Sequence, residues 1–173
     1  MPPIQIAAII TCYFPKQEEL FPLLDSIITQ VDQILIIDNG GLTGISIPEP
    51  FKSKTETLSV NQNLGTAGGY NLGCRRAWEK NCTHVLLLDQ DSECDSKMVG
   101  NLLNIESFLK QNKEKVAVVG PYYVCKSNNL PALQMLTSIL GRSIRKQWQI
   151  KLLKKPSQSS LLLCTEPAQI IIL

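Results

Sequence analysis

Apolar positions in this chain fall into short unbroken runs, separated by stretches with helical spacing. Residues 4–11 (IQIAAIIT), 33–38 (QILIID), 84–88 (HVLLL) and 116–120 (VAVVG) are the clearest runs. Such runs suit strands buried on both faces, as in a parallel sheet covered by helices. A shorter strand is expected over 57–60. Leu20, Leu23, Leu24, Ile27, Ile28 and Val31 follow the 3, 4, 7 spacing of an amphipathic helix. Pro22 is tolerable there only in the first turn, where its missing N–H is not needed. A second helix is expected from about Thr66 to Asn81, packing through Leu72, Ala77 and Trp78. A third is expected over 96–111, through Met98, Leu102, Leu103, Ile105 and Leu109. Residues 42–54 carry Gly44, Pro48 and Pro50 and read as a loop. Strand-helix alternation of this kind implies an α/β fold, with a mostly parallel sheet, right-handed crossovers and helices on both faces.

From Tyr122 onward the pattern weakens. Residues 131–155 read as partly helical, 156–160 as a linker, and 161–164 and 170–173 as strands. The chain ends inside the apolar run Ile170-Ile171-Ile172-Leu173, so the expectation is a fold interrupted in mid-strand.

Composition narrows the function classes. With 173 residues, 44% hydrophobic, 18% charged and a net charge of +2, neither global disorder nor a strongly basic nucleic-acid binder fits. Few aromatics argue against stacking platforms for single strands. Six cysteines without a Cys-x-x-Cys, and a start at Met1-Pro2-Pro3 with neither basic leader nor cleavage site, point to free thiols in a reducing cytoplasm. The single histidine, His84, lies at the start of a strand, with neither zinc-ligand spacing nor a nucleophile beside it. No apolar run approaches the roughly 20 residues that span a bilayer. Residues 142–155 interleave six basic side chains with apolar ones. They suit either a solvated helix face or peripheral contact with the inner face of a cell membrane.

The chemistry gathers at strand ends. Thr11, Asp38, Asn61 with Asn63, and Asp89 with Asp91 close four successive strands, and open α/β sheets bind ligands at that edge. Two close carboxylates repel, and a hard divalent cation such as Mg²⁺ or Mn²⁺ relieves the conflict. Glycines 65, 68, 69 and 73, at a helix start, let a backbone approach an anion such as diphosphate, with Arg75 and Arg76 as candidate countercharges. For each feature alone, a solvated turn or close helix packing is the alternative. The glycines form neither a Walker loop nor a Rossmann fingerprint.

AAIITCYFP, ILIIDNG, NLGTAGGYNLG and VLLLDQDS, in that order, resemble the signatures of family 2 glycosyltransferases of the GT-A fold. The DQDS version is most similar to bacterial rhamnosyltransferases of surface-polysaccharide synthesis. The resemblance implies metal-dependent, inverting sugar transfer from a nucleotide diphosphate (dTDP-rhamnose) to a saccharide or lipid-linked saccharide acceptor. It also implies that β-strands one and four lie side by side. Thr11, Asp38, Asn63, Gly65, Gly68 and Asp89 would bind the donor, and Asp91, assisted by Asp89, would hold Mg²⁺ or Mn²⁺. Residues 1–121 would be the donor-binding domain, and 122–173 the incomplete start of an acceptor-side region. The family's general base comes from an acidic segment beyond the last strand, and no acid here takes its place; Glu166 precedes that strand. A non-catalytic nucleotide-binding remnant is therefore an alternative. A nucleotidyltransferase fits less well, because Cys12-Tyr13-Phe14-Pro15 is not a basic glycine-rich loop.

Overall fold

The computed structural model describes residues 3–114, 116, 118–121, 161–163 and 170–172, the last two segments as backbone. In chain order the elements are β1 (Ile6–Cys12), α1 (Gln17–Ile27), β2 (Gln33–Asp38), α2 (Glu49–Lys52), β3 (Thr55–Ser59), α3 (Gly65–Glu79), β4 (His84–Asp89), α4 (Met98–Gln111), β5 (Val118–Gly120), β6 (Leu161–Leu163) and β7 (Ile170–Ile172). They form one sheet of order β3-β2-β1-β4-β7-β5-β6. All neighbours run parallel except β5 and β6. β1 and β4 are side by side, as the motif order implies. The order reverses there, the point at which open α/β sheets bind ligands beyond the strand ends.

Parity within the strands divides the core. Ala8, Ile10, Ile34, Ile36, Leu86 and Leu88 pack with Leu20, Leu23, Leu24 and Ile27 of α1 and Val99 and Leu102 of α4. Ala7, Ile9, Leu35, Ile37 and Val85 face Ala77, Tyr70 and Leu72 of α3. Each fully buried leucine or isoleucine contributes about 1.5–3 kcal/mol, so burial of both sheet faces explains the unbroken apolar runs. α3 achieves its close approach with small residues. A Cβ on Gly73 would sit 2.3 Å from Cγ2 of Ile9, and one on Gly69 would sit 2.6 Å from Cγ2 of Thr11. No larger residue fits either position without moving the helix.

Four expectations need correction. Pro22 lies inside α1, in its second turn. The donor it lacks would have gone to the carbonyl of Glu18, and both residues face solvent, which leaves that group open to water. Trp78 packs against nothing in the core and is 61% exposed, because the packing stripe of α3 is Gly69, Gly73 and Ala77. The loop expected at 42–54 contains the short helix α2, which buries Phe51. β3 starts two residues earlier than its apolar pattern suggests, with Thr55 paired to Ile34. Among long-range features, β7 enters between β4 and β5, an arrangement no local pattern carries. The expected helix at 131–155 and the basic residues 142–155 lie outside the described residues. Among the described residues, no helix is long and apolar enough to cross a membrane.

Candidate functional site

The strand register places the predicted residues at one edge. Thr11 pairs with Asp89 across β1 and β4, and Cys12 pairs with Asp38 across β1 and β2. Parity sets Asp89 on the α3 side of the sheet and Asp38 on the α1 side, so the two acids flank the end of β1. Beyond β4 the chain turns at once: Ser92 N–H donates to the carbonyl of Asp89 at 3.1 Å. Asp91 stands exposed within this turn, and Asp89 is exposed at the strand's last position.

The structure treats the predicted donor-binding residues differently from one another. Asp89 Oδ1 accepts the Tyr70 hydroxyl at 3.0 Å, which orients the carboxylate from α3. Asp38 Oδ1 accepts the backbone N–H groups of Gly40 (2.9 Å) and Leu42 (3.3 Å), so one of its oxygens builds the turn after β2. In that turn Gly41 has φ +85°, and an added Cβ would lie 2.8 Å from Cα of Phe14, a position only glycine fills. Asn63 Oδ1 accepts Gly65 N–H at 2.7 Å, turning the chain into α3. Gly65 has φ +68° with open space where a Cβ would stand, whereas Gly68 packs against Leu64. Thr11 is turned inward: its Oγ1 is buried without a hydrogen-bond partner, beside the backbone of Gly69. As placed, that hydroxyl does not reach solvent.

Three residues not singled out by motif organise the site. Asn39 is buried; its Oδ1 accepts Leu64 N–H (3.3 Å) and its Nδ2 donates to the carbonyl of Gly65 (3.1 Å), joining the β2 turn to α3. Gln90 pairs with both backbone groups of Tyr13, and Tyr70 reaches Asp89. In the sequence Asn39 stands out only as part of ILIIDNG, Gln90 only as the spacer between two acids, and Tyr70 only as part of NLGTAGGYNLG. Their partners lie 19 to 77 residues away in sequence, so spacing alone gave no signal.

The electrostatics single out this edge. Among the described residues, no ion pair reaches Asp38, Asp89 or Asp91. Arg76, a candidate anion ligand by sequence, is instead committed to Glu56 (2.8 Å) and Glu79 (2.9 Å), and hydrogen bonds to Glu79 and Glu56 raise its pKa further. Burial, followed by the charge of Asp38, pushes the Cys12 thiol up to about 12, which leaves it protonated and inert as a nucleophile. At the start of α3 the N–H groups of Leu64 and Gly65 are taken by Asn39 and Asn63, and the N–H groups of Thr66 and Ala67 are left at the positive end of the helix dipole.

Among the described residues, no group of three or more His, Cys, Asp and Glu side chains is placed to hold a metal ion. The donor set nevertheless fits one kind of site. Mg²⁺ is characteristically held by one or two carboxylates, with substrate phosphates and waters completing its shell. Asp89 and Asp91, both exposed and without an ion pair among the described residues, would be the carboxylate share of such a site.

A mostly parallel sheet with a reversal at β1 and β4, acids at that reversal and a glycine-rich helix start define an open α/β domain whose ligand edge is the strand ends. The family model for glycosyl transferase family 2 matches residues 8–164; the chain belongs to that family, and its sheet and helices match the GT-A fold. The crystal structure of S. aureus TarS is similar in fold, with a TM-score of 0.54 at 17% sequence identity, over 74% of this chain and 23% of that one. This chain thus spans less than a quarter of that protein's length. None of the curated proteins matches the chain.

Proposed function

We propose that this chain is the donor-binding part of an enzyme that moves a sugar from a nucleotide diphosphate to an acceptor hydroxyl. The observation that carries the reading is the register of Thr11 with Asp89 at the sheet's reversal point, with Asp91 two residues on and, among the described residues, no ion pair at either acid. Asp38, on the other flank of β1, has one oxygen free of the turn and suits a base or ribose donor. The N–H groups of Thr66 and Ala67 in the first turn of α3 suit a phosphate. Asp91, with Asp89, would hold Mg²⁺ or Mn²⁺, which as a Lewis acid supplies several kcal/mol of charge stabilisation to a leaving diphosphate. Tyr70 keeps the Asp89 carboxylate turned toward that position. The DQDS turn and the NLGTAGGYN run favour dTDP-rhamnose as donor and a saccharide or lipid-linked saccharide of surface polysaccharide as acceptor. The inverting step needs a base, typically worth 10²–10⁴-fold in rate, and the resemblance draws it from an acidic segment beyond the last strand. Residues 122–173 are assigned to the acceptor side.

Calorimetry with dTDP and UDP, with and without Mn²⁺, tests the reading. Nucleotide binding strengthened by Mn²⁺, with the gain lost in Asp91→Ala, is the expected result. Binding that ignores the metal and survives Asp91→Ala would overturn it.

A further inference from the structure

The side chain between the two acids forms a connection that the acids themselves do not need. Gln90 Oε1 accepts the Tyr13 N–H at 2.7 Å, and its Nε2 donates to the Tyr13 carbonyl at 3.2 Å. Both hydrogen-bonding groups of one residue are thereby paired by a single amide. The backbone ladder between β1 and β4 reaches Thr11 and Asp89. The Gln90 amide extends that pairing past the strand ends, by side chain where backbone can no longer reach.

The bond belongs to a closed circuit. Tyr13 continues into Phe14, whose N–H donates to the carbonyl of Gly40 at 2.8 Å, while Asn39 N–H donates to the carbonyl of Cys12 at 2.8 Å. Asn39 in turn holds Leu64 and Gly65 at the start of α3, and Tyr70 of α3 returns to Asp89. The acid turn, the loop after β1, the turn after β2 and the helix start are therefore joined in one ring. Gln90 is the link between the acids and the loop that carries Tyr13 and Phe14. That loop needs a tether. Phe14 sits at φ +43°, a conformation uncommon for a non-glycine residue, and Tyr13 and Phe14 are 52% and 66% exposed, so burial does little to hold them.

We infer that Gln90 is a positioning residue, which fixes the Tyr13–Phe14 loop against the Asp89–Asp91 turn so that the two walls of the donor crevice are set together. The inference rests on the donor-binding reading above. Its consequence is reciprocal coupling: what orders the acid turn also orders the loop, and the reverse.

The test uses the whole 173-residue chain, with Gln90→Met, which keeps the length and removes both bonds. Gln90→Glu serves as the conservative partner, retaining the acceptor for the Tyr13 N–H. Two readouts are needed: hydrogen exchange of the Tyr13 amide, with Ile9 and Ile10 amides as controls, and calorimetric affinity for UDP and dTDP with and without Mn²⁺. In Gln90→Met, the Tyr13 amide is expected to lose protection while the β1 controls keep theirs. Nucleotide affinity should fall about tenfold, the effect of losing one or two net hydrogen bonds, and the gain from Mn²⁺ should shrink. Gln90→Glu should restore much of the Tyr13 protection. If the wild type binds nucleotide and Gln90→Met binds it equally well with the same Mn²⁺ gain, the inference is overturned and the donor-binding reading stands. If the wild type binds no nucleotide, both fall. Loss of protection in the β1 controls would mark Gln90 as a general fold residue and would likewise overturn the positioning role.

Discussion

The two edges of the sheet treat their polar groups in opposite ways. Where the strands begin, the chain supplies its own partners. Asp32 Oδ2 accepts Ile6 N–H at 2.8 Å, Thr83 Oγ1 accepts Gln5 N–H at 2.9 Å, and Lys54 Nζ reaches the carbonyls of Ile28 and Val31 at 3.0 Å each. His84, the first residue of β4, is buried with Nε2 3.2 Å from Glu106 Oε2 and Nδ1 2.8 Å from Thr83 Oγ1, and Lys110 pairs with the other oxygen of Glu106. Where the same strands end, Asp89 and Asp91 stand exposed and Asp38 half-buried, and among the described residues their partners are neutral donors, with no ion pair at any of the three. Burying an unpaired charge is expensive, so one edge has been closed by pairing and the other left open to solvent. The lesson is that acids whose partners the fold withholds are candidates for a ligand's countercharge, whereas acids neutralised internally serve stability.

Substitutions at the two edges should therefore separate into different readouts. The largest loss of stability is expected from Glu106→Ala, which leaves buried His84 without its partner, at about 1–3 kcal/mol. Denaturant unfolding reads it, and a change under about 0.5 kcal/mol would place His84 among ordinary solvated groups. Asp32→Ala, which frees the Ile6 N–H at the start of β1, should cost about 1 kcal/mol by the same measurement.

A smaller effect follows pH. Burial works to raise the Glu56 pKa, but hydrogen bonds from Lys80 and Arg76 outweigh it, so the folded value lies below the ordinary 4.5. A depressed folded pKa adds stability that is whole above the unfolded value and is lost as pH falls through the folded one. Stability should thus decline below about pH 4.5, and Glu56→Gln should flatten that part of the curve. High salt should weaken the effect, because the cluster is partly exposed. An unchanged acid limb in Glu56→Gln would assign the decline to other carboxylates.

The smallest stability change is expected at the open edge. Asp89→Asn and Asp91→Asn should unfold within about 0.5 kcal/mol of wild type, the range of surface substitutions, while nucleotide affinity in Mn²⁺ falls at least tenfold, about 1.4 kcal/mol. A large stability loss there would erase the contrast between the edges.

Much of this was legible in the sequence, for physical reasons. Unbroken apolar runs and the spacing of α1 follow directly from burial on both sheet faces. The polar strand ends marked the edge, because a strand leaving the core exposes its next residues. Pro22 and Trp78 were misjudged because tertiary context decides both: a solvated carbonyl tolerates the missing N–H, and glycines rather than the aromatic set the packing distance of α3. The inward turn of Thr11 also depends on α3, whose glycines admit its side chain. Gln90 and Asn39 act through partners far away in the chain, and the insertion of β7 between β4 and β5 is a long-range pairing. No local periodicity encodes either.

Paramagnetic broadening by Mn²⁺ tests the central claim most directly, because β4 carries the two contrasted environments about 16 Å apart, five residues at strand rise. With UDP or dTDP present, amide resonances of Tyr13 and of Asp89 through Ser92 should broaden first, those at His84 should stay sharp at the same Mn²⁺ level, and Asp91→Ala should abolish the pattern. Broadening centred on His84 and Glu106, or a pattern at the acid turn that persists unchanged in Asp91→Ala, would contradict the account.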